Sequence, residues 1–308
     1  MRLMVERELR KVIITGVTGF IGSALAKKLL LNDVKVYGVG RSKEALEDLK
    51  QYGDFISVEA DFDEYDKLHE LIDDCGFDML WHFAWNSTAS SASNFHDYFS
   101  QIQNINATCN VALAAVKLNC STVSFCGSFY QQCSISQGKY QFNPITYGVA
   151  KKSASELFMG IAYNNKIPCI NIIIPNVSGC SNKANMGVLF FINQMLNGKP
   201  LNLITGDQYD DWIYIDDLIE GILCSIQTNE MYTEYYIGHR ELTTFKDRLL
   251  MIKAILSSES ELLFGTYPEN YHVDFNYFDL EALYRDTGWE AKINFPESIN
   301  RIKDWISK

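Results

Sequence analysis

Short apolar blocks alternate along this chain with longer segments in which apolar residues recur every three or four positions. The blocks KVIITG (11–16), VKVYGVG (34–40), FISVEAD (55–61), DMLWHFA (78–84), STVSFCG (121–127) and PCINIIIPN (168–176) have the length of strands, and most have the unbroken apolar character of strands buried on both faces. Between them, GSALAKKLLLN (22–32) and the segments 43–51, 98–118 and 146–165 read as helices. Such alternation predicts an α/β fold, a Rossmann-type doubly wound parallel sheet with helices on both faces. After residue 178 the pattern changes. A helix over 186–197, a strand LNLI (201–204), a strand–helix unit DWIYIDDLIEGILCSI (211–226) and a strand EYYIG (234–238) lead into mixed helix and loop up to Lys308.

The totals narrow the class of protein. Hydrophobic residues make up 47% and charged residues 21%, a balance that builds a core and excludes a disordered chain. The net charge of −11 argues against a nucleic-acid partner, whose phosphates need a basic face, but leaves room for a small anion held by local donors. The start MRLMVERELRKVIITG has no apolar h-region, and runs such as VLFFI (188–192) are far too short to span a bilayer. A cytoplasmic protein without a membrane partner is expected. The eight cysteines form no CxxC pair and read as small buried residues in a reducing compartment. The five histidines lack metal-ligand spacing, so no metal is expected; His82, inside an apolar block, reads as a core or loop-edge residue.

The segment VIITGVTGFIGSALAKKLL places Gly16, Gly19 and Gly22 between the first strand and the first helix. Glycines there permit a tight turn, close backbone approach to a pyrophosphate and close helix–strand packing, and the helix start offers N–H groups to phosphate. The alternative is a purely structural glycine turn. At the end of the second strand, where NAD enzymes usually carry an acid, stand Gly40 and then Arg41, with Lys43 nearby. A small residue followed by a guanidinium suits a 2′-phosphate, which points to NADP, with NAD as the alternative. Arg41 could instead be a solvated surface charge. Asp61 could meet the adenine amino group or cap the helix opened by DFDEYDKLHEL. Residues 8–178 are accordingly expected to form the dinucleotide-binding Rossmann domain, with about 211–238 returning to it, and 179–308 a smaller mixed α/β region capping the substrate.

Within PITYGVAKKS, Tyr147 and Lys151 stand four residues apart, on one face of a helix. A cation beside a phenol favours the phenolate and lowers a pKa ordinarily near ~10, which prepares the group for acid–base work. A chance pairing is the alternative.

On these residues the chain resembles the extended short-chain dehydrogenase/reductases, the nucleotide-sugar epimerase/dehydratase/reductase group. TGVTGFIG (15–22) is similar to its cofactor loop, WHFA (81–84) to its fourth-strand signature, NINATCNVALAA (104–115) to its fourth-helix motif and PITYGVAK (144–151) to its Tyr-x-x-x-Lys helix. PNVSG (175–179), DDWIYIDDLIEGI (210–222) and DLEALYRDTGW (279–289) resemble later signatures of the same group. The resemblance implies that Tyr147 exchanges the proton, that Lys151 binds the nicotinamide ribose, and that Ser128 bonds the substrate oxygen, with Ser124 the weaker candidate. It implies Gly16, Thr18, Gly19, Phe20, Ile21, Gly22, Arg41, Asp61, Phe62, Phe83 and Ala84 around the dinucleotide. It places Asn176, Ser128 and Asn86 against a nucleotide sugar, and gives Asn104 a structural role. In this group the long helices over 98–118 and 146–165 pair two subunits, so a homodimer is expected.

The departures matter equally. Phe129 and Tyr130 stand where dehydratases of the group carry an Asp-Glu pair, which disfavours dehydration. Asp210-Asp211 replaces an Arg-Asp pair whose arginine meets phosphate; Lys183 and Arg240 are candidate replacements for the missing cation. The expected activity is NADP-dependent reduction of a 4-keto, 6-deoxy nucleotide sugar, with Tyr147 as proton donor. The alternatives are a nucleotide-sugar 4-epimerase with retained NAD, and a non-catalytic NADP-binding protein.

Overall fold

The computed structural model describes residues 8–86, 97–134, 146–181, 187–267 and 273–308. The first half runs β1 (Lys11–Thr15), α1 (Phe20–Leu30), β2 (Lys35–Gly40), α2 (Lys43–Glu47), β3 (Phe55–Glu59), α3 (Leu68–Leu71), β4 (Met79–His82), α4 (Tyr98–Lys117), β5 (Val123–Ser128), α5 (Thr146–Asn164) and β6 (Cys169–Ile174). The second half runs β7 (Asn176–Ser178), α6 (Val188–Leu196), β8 (Leu201–Leu203), β9 (Tyr209–Asp210), β10 (Trp212–Tyr214), α7 (Ile215–Ser225), β11 (Tyr232–Tyr236), β12 (Thr243–Thr244), α8 (Phe245–Leu256), β13 (Leu262–Phe264), α9 (Ala282–Thr287) and α10 (Phe295–Ile306).

Seven parallel strands form one sheet in the order β11-β6-β5-β4-β1-β2-β3. The chain leaves β1 in one direction through β2 and β3 and in the other through β4, β5 and β6, so the switch point falls between β1 and β4, where a ligand crevice opens at the carboxyl ends. Both faces are buried, as the unbroken apolar strands demand. Val12 and Ile14 join one core layer with Leu25, Leu29 and Ile222, while Ile13 joins the other with Val111, Phe125 and Phe158. The smaller region carries three two-stranded sheets, β10-β7, β12-β9 and β13-β8.

Two boundaries differ from the apolar pattern, each for a local reason. The block 168–176 is one run in the sequence, but Pro175 has no N–H for a ladder, so β6 stops at Ile174 and Asn176 opens β7 against Trp212 of β10. The helix over 43–51 closes as a tighter 3₁₀ turn, Asp48–Tyr52, before Gly53 at φ 156°. The cysteines also divide: Cys120, Cys126 and Cys169 are buried, whereas Cys75 and Cys180 are exposed, and all seven described thiols are free. No helix among the described residues is long and apolar enough to cross a membrane.

Candidate active site

The turn from β1 into α1 forms the floor of the crevice. Gly16 has φ +69°, and a Cβ there would lie 2.6 Å from the main-chain nitrogen of Ala84, so only glycine fits both the conformation and the contact with the end of β4. Gly19 caps α1 without a side-chain bond, and no acid stands in the first turn. The helix start therefore presents bare N–H groups and its positive dipole end to the crevice. This cradle fits a dinucleotide pyrophosphate. Phe83 continues the β4–β1 pairing by donating its N–H to Thr15 O at 3.1 Å, which holds the Phe83–Ala84 backbone against the glycine turn. Thr18 packs where a Cβ on Gly40 would stand, so the rim beside β2 is tight. Arg41 is exposed directly after β2, and its charge and that of Asp61 both act on the Tyr65 phenol. Asp61 also makes the cap it offers in the sequence: its carboxylate accepts from Phe62 N at 2.8 Å, while Glu64 reaches back to Asp61 N at 3.0 Å.

Tyr147, Ser128 and Lys151 come together at the carboxyl end of β5, all buried. The Ser128 Oγ accepts from Tyr130 N at 3.3 Å, and the Ser128 side chain acts on the Tyr147 phenol. Burial, with a smaller push from Cys126, raises the phenol's pKa above its ordinary value, and Ser128 opposes that rise. This corrects the expectation that Lys151 would pull the phenol down. The Lys151 ammonium donates to Cys126 O at 2.9 Å and lies 3.8 Å from the centroid of the Trp85 ring. Burial pushes its pKa down to about 8. Tyr147 is therefore a protonated donor at neutral pH, beside a lysine that is still mostly charged.

Asn86 and Asn104 fall into place through the backbone. Asn104, on α4, accepts from Asn86 N and donates to Asn86 O, each at 2.8 Å, a structural clamp on the segment after β4. Thr108 donates to Asn104 O at 2.8 Å, so its oxygen must accept from His82 Nε2, 3.0 Å away, and His82 Nδ1 must accept from Thr15 Oγ1 at 2.6 Å. The tautomer is thus fixed and the ring is neutral. Ser124 is buried within β5 and its Oγ has no partner among the described residues.

Asn176 opens a second polar corner. Its Nδ2 donates to Asp210 Oδ1 at 3.0 Å, and its N–H donates to Asp211 O at 3.2 Å. Asp210 also accepts from Trp212 Nε1 and from Asp211 N, yet burial raises its pKa to about 7. Burial pushes Asp211 up too, but hydrogen bonds from His239 and Tyr236 and the charges of His239 and Arg248 outweigh it, and the net shift is downward. Arg248, 3% exposed on α8, donates to Asp210 O at 3.2 Å and lies 3.6 Å from Asp211 Oδ1. Sequence reasoning misses Arg248, a lone arginine in an unmarked helix. Arg240, the candidate replacement cation, bonds Glu281 at 2.8 Å and Glu290 at 3.3 Å and stacks on Tyr284. Lys183 lies outside the described residues. A cleft of about 440 Å³ between 238–243 and 280–291 is lined by His239, Arg240, Tyr284 and Trp289, and by none of Tyr147, Ser128 and Lys151.

Residues 12–238 match the NAD dependent epimerase/dehydratase family. The chain belongs to this family. It is similar to the dTDP-4-dehydro-6-deoxyglucose reductase of Escherichia coli, 22% identical over 304 residues that cover 94% of this chain and 96% of that one. Its fold is similar to the UDP-glucose 4-epimerase of Thermotoga maritima solved with UDP-glucose, with a TM-score of 0.78 at 20% identity over 96% and 98% of the two chains. It is similar also to the dTDP-glucose 4,6-dehydratase of Streptomyces venezuelae solved with NAD, with a TM-score of 0.79 at 19% identity over 96% and 97%. The fold is thus that of the extended short-chain dehydrogenase/reductases, among which a reductase, an epimerase and a dehydratase of nucleotide sugars stand beside this member of the epimerase/dehydratase family.

Proposed function

We propose that the protein is an NADP-dependent reductase of a 4-keto, 6-deoxy nucleotide-activated sugar. The observation that carries this reading is the burial of Ser128, Tyr147 and Lys151 together at the carboxyl end of β5, with Trp85, the residue after the Ala84 backbone that meets Gly16, against both Tyr147 and Lys151. The nicotinamide, when bound, supplies the hydride. Gly16, Gly19, Gly22 and the start of α1 would hold the pyrophosphate, with Thr18, Phe20, Ile21, Phe62, Phe83 and Ala84 around the dinucleotide and Arg41 at the 2′-phosphate. Tyr147, kept protonated by burial, donates its proton to the carbonyl oxygen of the sugar. Ser128 orients that oxygen, and Asn86 and Asn176 contact the sugar nucleotide. The Lys151 ammonium offsets negative charge growing on the oxygen. Phe129 and Tyr130, ring centroids 4.4 Å apart, occupy the positions at which a dehydratase needs carboxylates, so reduction rather than dehydration fits this pocket.

The reading extends to a homodimer. Phe99, Ile102 and Leu113 on α4 and Leu157 and Tyr163 on α5 are exposed, although Val111 and Phe158 of the same helices are buried against the sheet. An outward apolar face across two long helices is what a subunit contact would cover.

Purified protein given NADPH and a UDP- or dTDP-4-keto-6-deoxyhexose should oxidise the NADPH and yield the 4-hydroxy sugar. Tyr147→Phe should lower turnover by ~10²–10⁴-fold, the range of a lost general acid, and leave NADPH affinity within about twofold. Tightly retained NAD together with interconversion of a 4-hydroxy sugar would give the site to the epimerase. Tight NADPH binding with no turnover of any such substrate would give it to the non-catalytic reading.

A further inference from the structure

The 3₁₀ turn that follows β5, Phe129–Ser134, carries a glutamine that reaches both halves of the site. Gln131 is buried at 7% exposure. Its Oε1 accepts the Ser128 N–H at 3.1 Å, and its Nε2 donates to the Lys151 carbonyl at 3.2 Å. Gly127 makes the approach feasible, because a Cβ there would lie 2.6 Å from Gln131 Oε1. The end of β5 and the start of α5 are thus tied twice through one residue: Lys151 takes the glutamine at its carbonyl and gives its ammonium to Cys126 O. A neutral amide carries a donor and an acceptor on one rigid plane, which this bridge needs. A carboxylate would lose the donor, and an apolar side chain would leave the Ser128 N–H without its partner.

From this bridge we infer that Gln131 is a positioning residue, which sets the spacing between Ser128 and the helix that carries Tyr147 and Lys151. The inference rests on the catalytic reading above. Neither of these two bonds goes to the glycine turn or to the rim at Arg41. Its loss therefore acts on the alignment of Ser128 with Tyr147 and not on the hold on the dinucleotide. Small misplacements at a reacting centre cost rate steeply, on the order of 10²-fold per ångström.

The test uses Gln131→Met, which keeps the length and removes both hydrogen bonds, alongside Gln131→Glu and Gly127→Ala. Gln131→Met is expected to lower kcat by ~10–100-fold while the NADPH dissociation constant stays within about twofold. Gly127→Ala, which displaces the amide without removing it, should show the same split. Gln131→Glu should regain activity as the pH falls, since only the protonated carboxyl can donate to the Lys151 carbonyl. Native-like kcat in Gln131→Met, or parallel losses in kcat and NADPH affinity, would overturn the inference. Hydrogen exchange separates it from the catalytic reading. If the native protein reduces no such sugar, the catalytic reading fails; exchange at the Ser128 amide that is at least ~10-fold faster in Gln131→Met still supports the tie, and unchanged exchange defeats it.

Discussion

Two buried polar corners lie above the carboxyl ends of this sheet, and they handle charge in opposite ways. At Lys151 one ammonium sits in the interior on a carbonyl oxygen and an indole face, and no carboxylate among the described residues pairs with it. At Asp210 and Asp211 two carboxylates are closed in by Arg248, His239, Tyr236, Trp212 and Asn176. Burial penalises both sets. In the second corner the partners outweigh the penalty at Asp211 but not at Asp210, whose pKa stays raised to about 7. The first leaves it standing, so an incoming group with developing negative charge can complete the site. On the proposed reading the first corner carries the proton chemistry, while the second ties the 238–240 turn to the Asp210–Asp211 segment and presents Asn176 to the sugar nucleotide.

The comparison is tested hardest by a swap of consequences. Tyr147→Phe, in the first corner, should remove most turnover and leave stability nearly intact. Arg248→Met, in the second, should do the reverse. It strands Asp211, whose partners are then a histidine and a phenol, at a cost of ~3–5 kcal/mol, the range for one partner lost from a buried pair. Urea unfolding would read that loss, and the residual folded protein should keep its NADPH-binding affinity. If Arg248→Met unfolds like the native chain but loses turnover, the two corners have been assigned the wrong way round.

A pH profile sharpens the contrast within the first corner. Lys151, held down to about 8, is charged below that pH and neutral above it. Reductase kcat/KM should be level below about 8 and fall above it, approaching tenfold per pH unit. Trp85 supports the charged form through its ring face. Trp85→Leu should move the falling limb toward acid by about one pH unit, from a desolvated cation–π contact of ~1–2 kcal/mol. A limb that stays in place in Trp85→Leu would mean that the indole only fills space.

The apolar blocks, the glycine turn and the Tyr147–Lys151 spacing are local patterns, so the parallel sheet and the helix that carries the proposed proton donor are legible in the sequence itself. Asp61 is legible as a cap too, because its partner Glu64 stands three residues away. The contacts that decide the electrostatics are not local. Trp85 and Lys151 stand 66 positions apart and meet only once β4 and α5 lie on neighbouring parts of the sheet. Arg248 meets Asp211 through the fold of the smaller region, and nothing near residue 248 marks it. Helical spacing brings Lys151 and Tyr147 onto one face, and from that alone the amine is expected to act on the phenol. Spacing carries no information about the Cys126 carbonyl that takes the ammonium instead.

The smallest effect comes from His82, behind the first corner. Its Nε2 donates to Thr108 and its Nδ1 accepts from Thr15, so protonation would put a second donor against the Thr15 hydroxyl. Burial, and then the nearby charge of Lys151, push its pKa down to about 3 from an ordinary 6.5. The unfolded chain therefore takes up a proton below 6.5 that the native state refuses until about 3. Stability falls as the pH drops through that window, by ~1.4 kcal/mol per unit from this residue alone. His82→Gln should flatten the urea-derived stability profile between about pH 6 and 4.5 by about that slope, whatever its effect at neutral pH. Lys151→Met should narrow the window from the acid side, since it removes the second cause and lets the native imidazole accept its proton at a higher pH. Equal slopes for His82→Gln and the native protein would mean that water reaches the ring and that the first corner is less dry than its lysine requires.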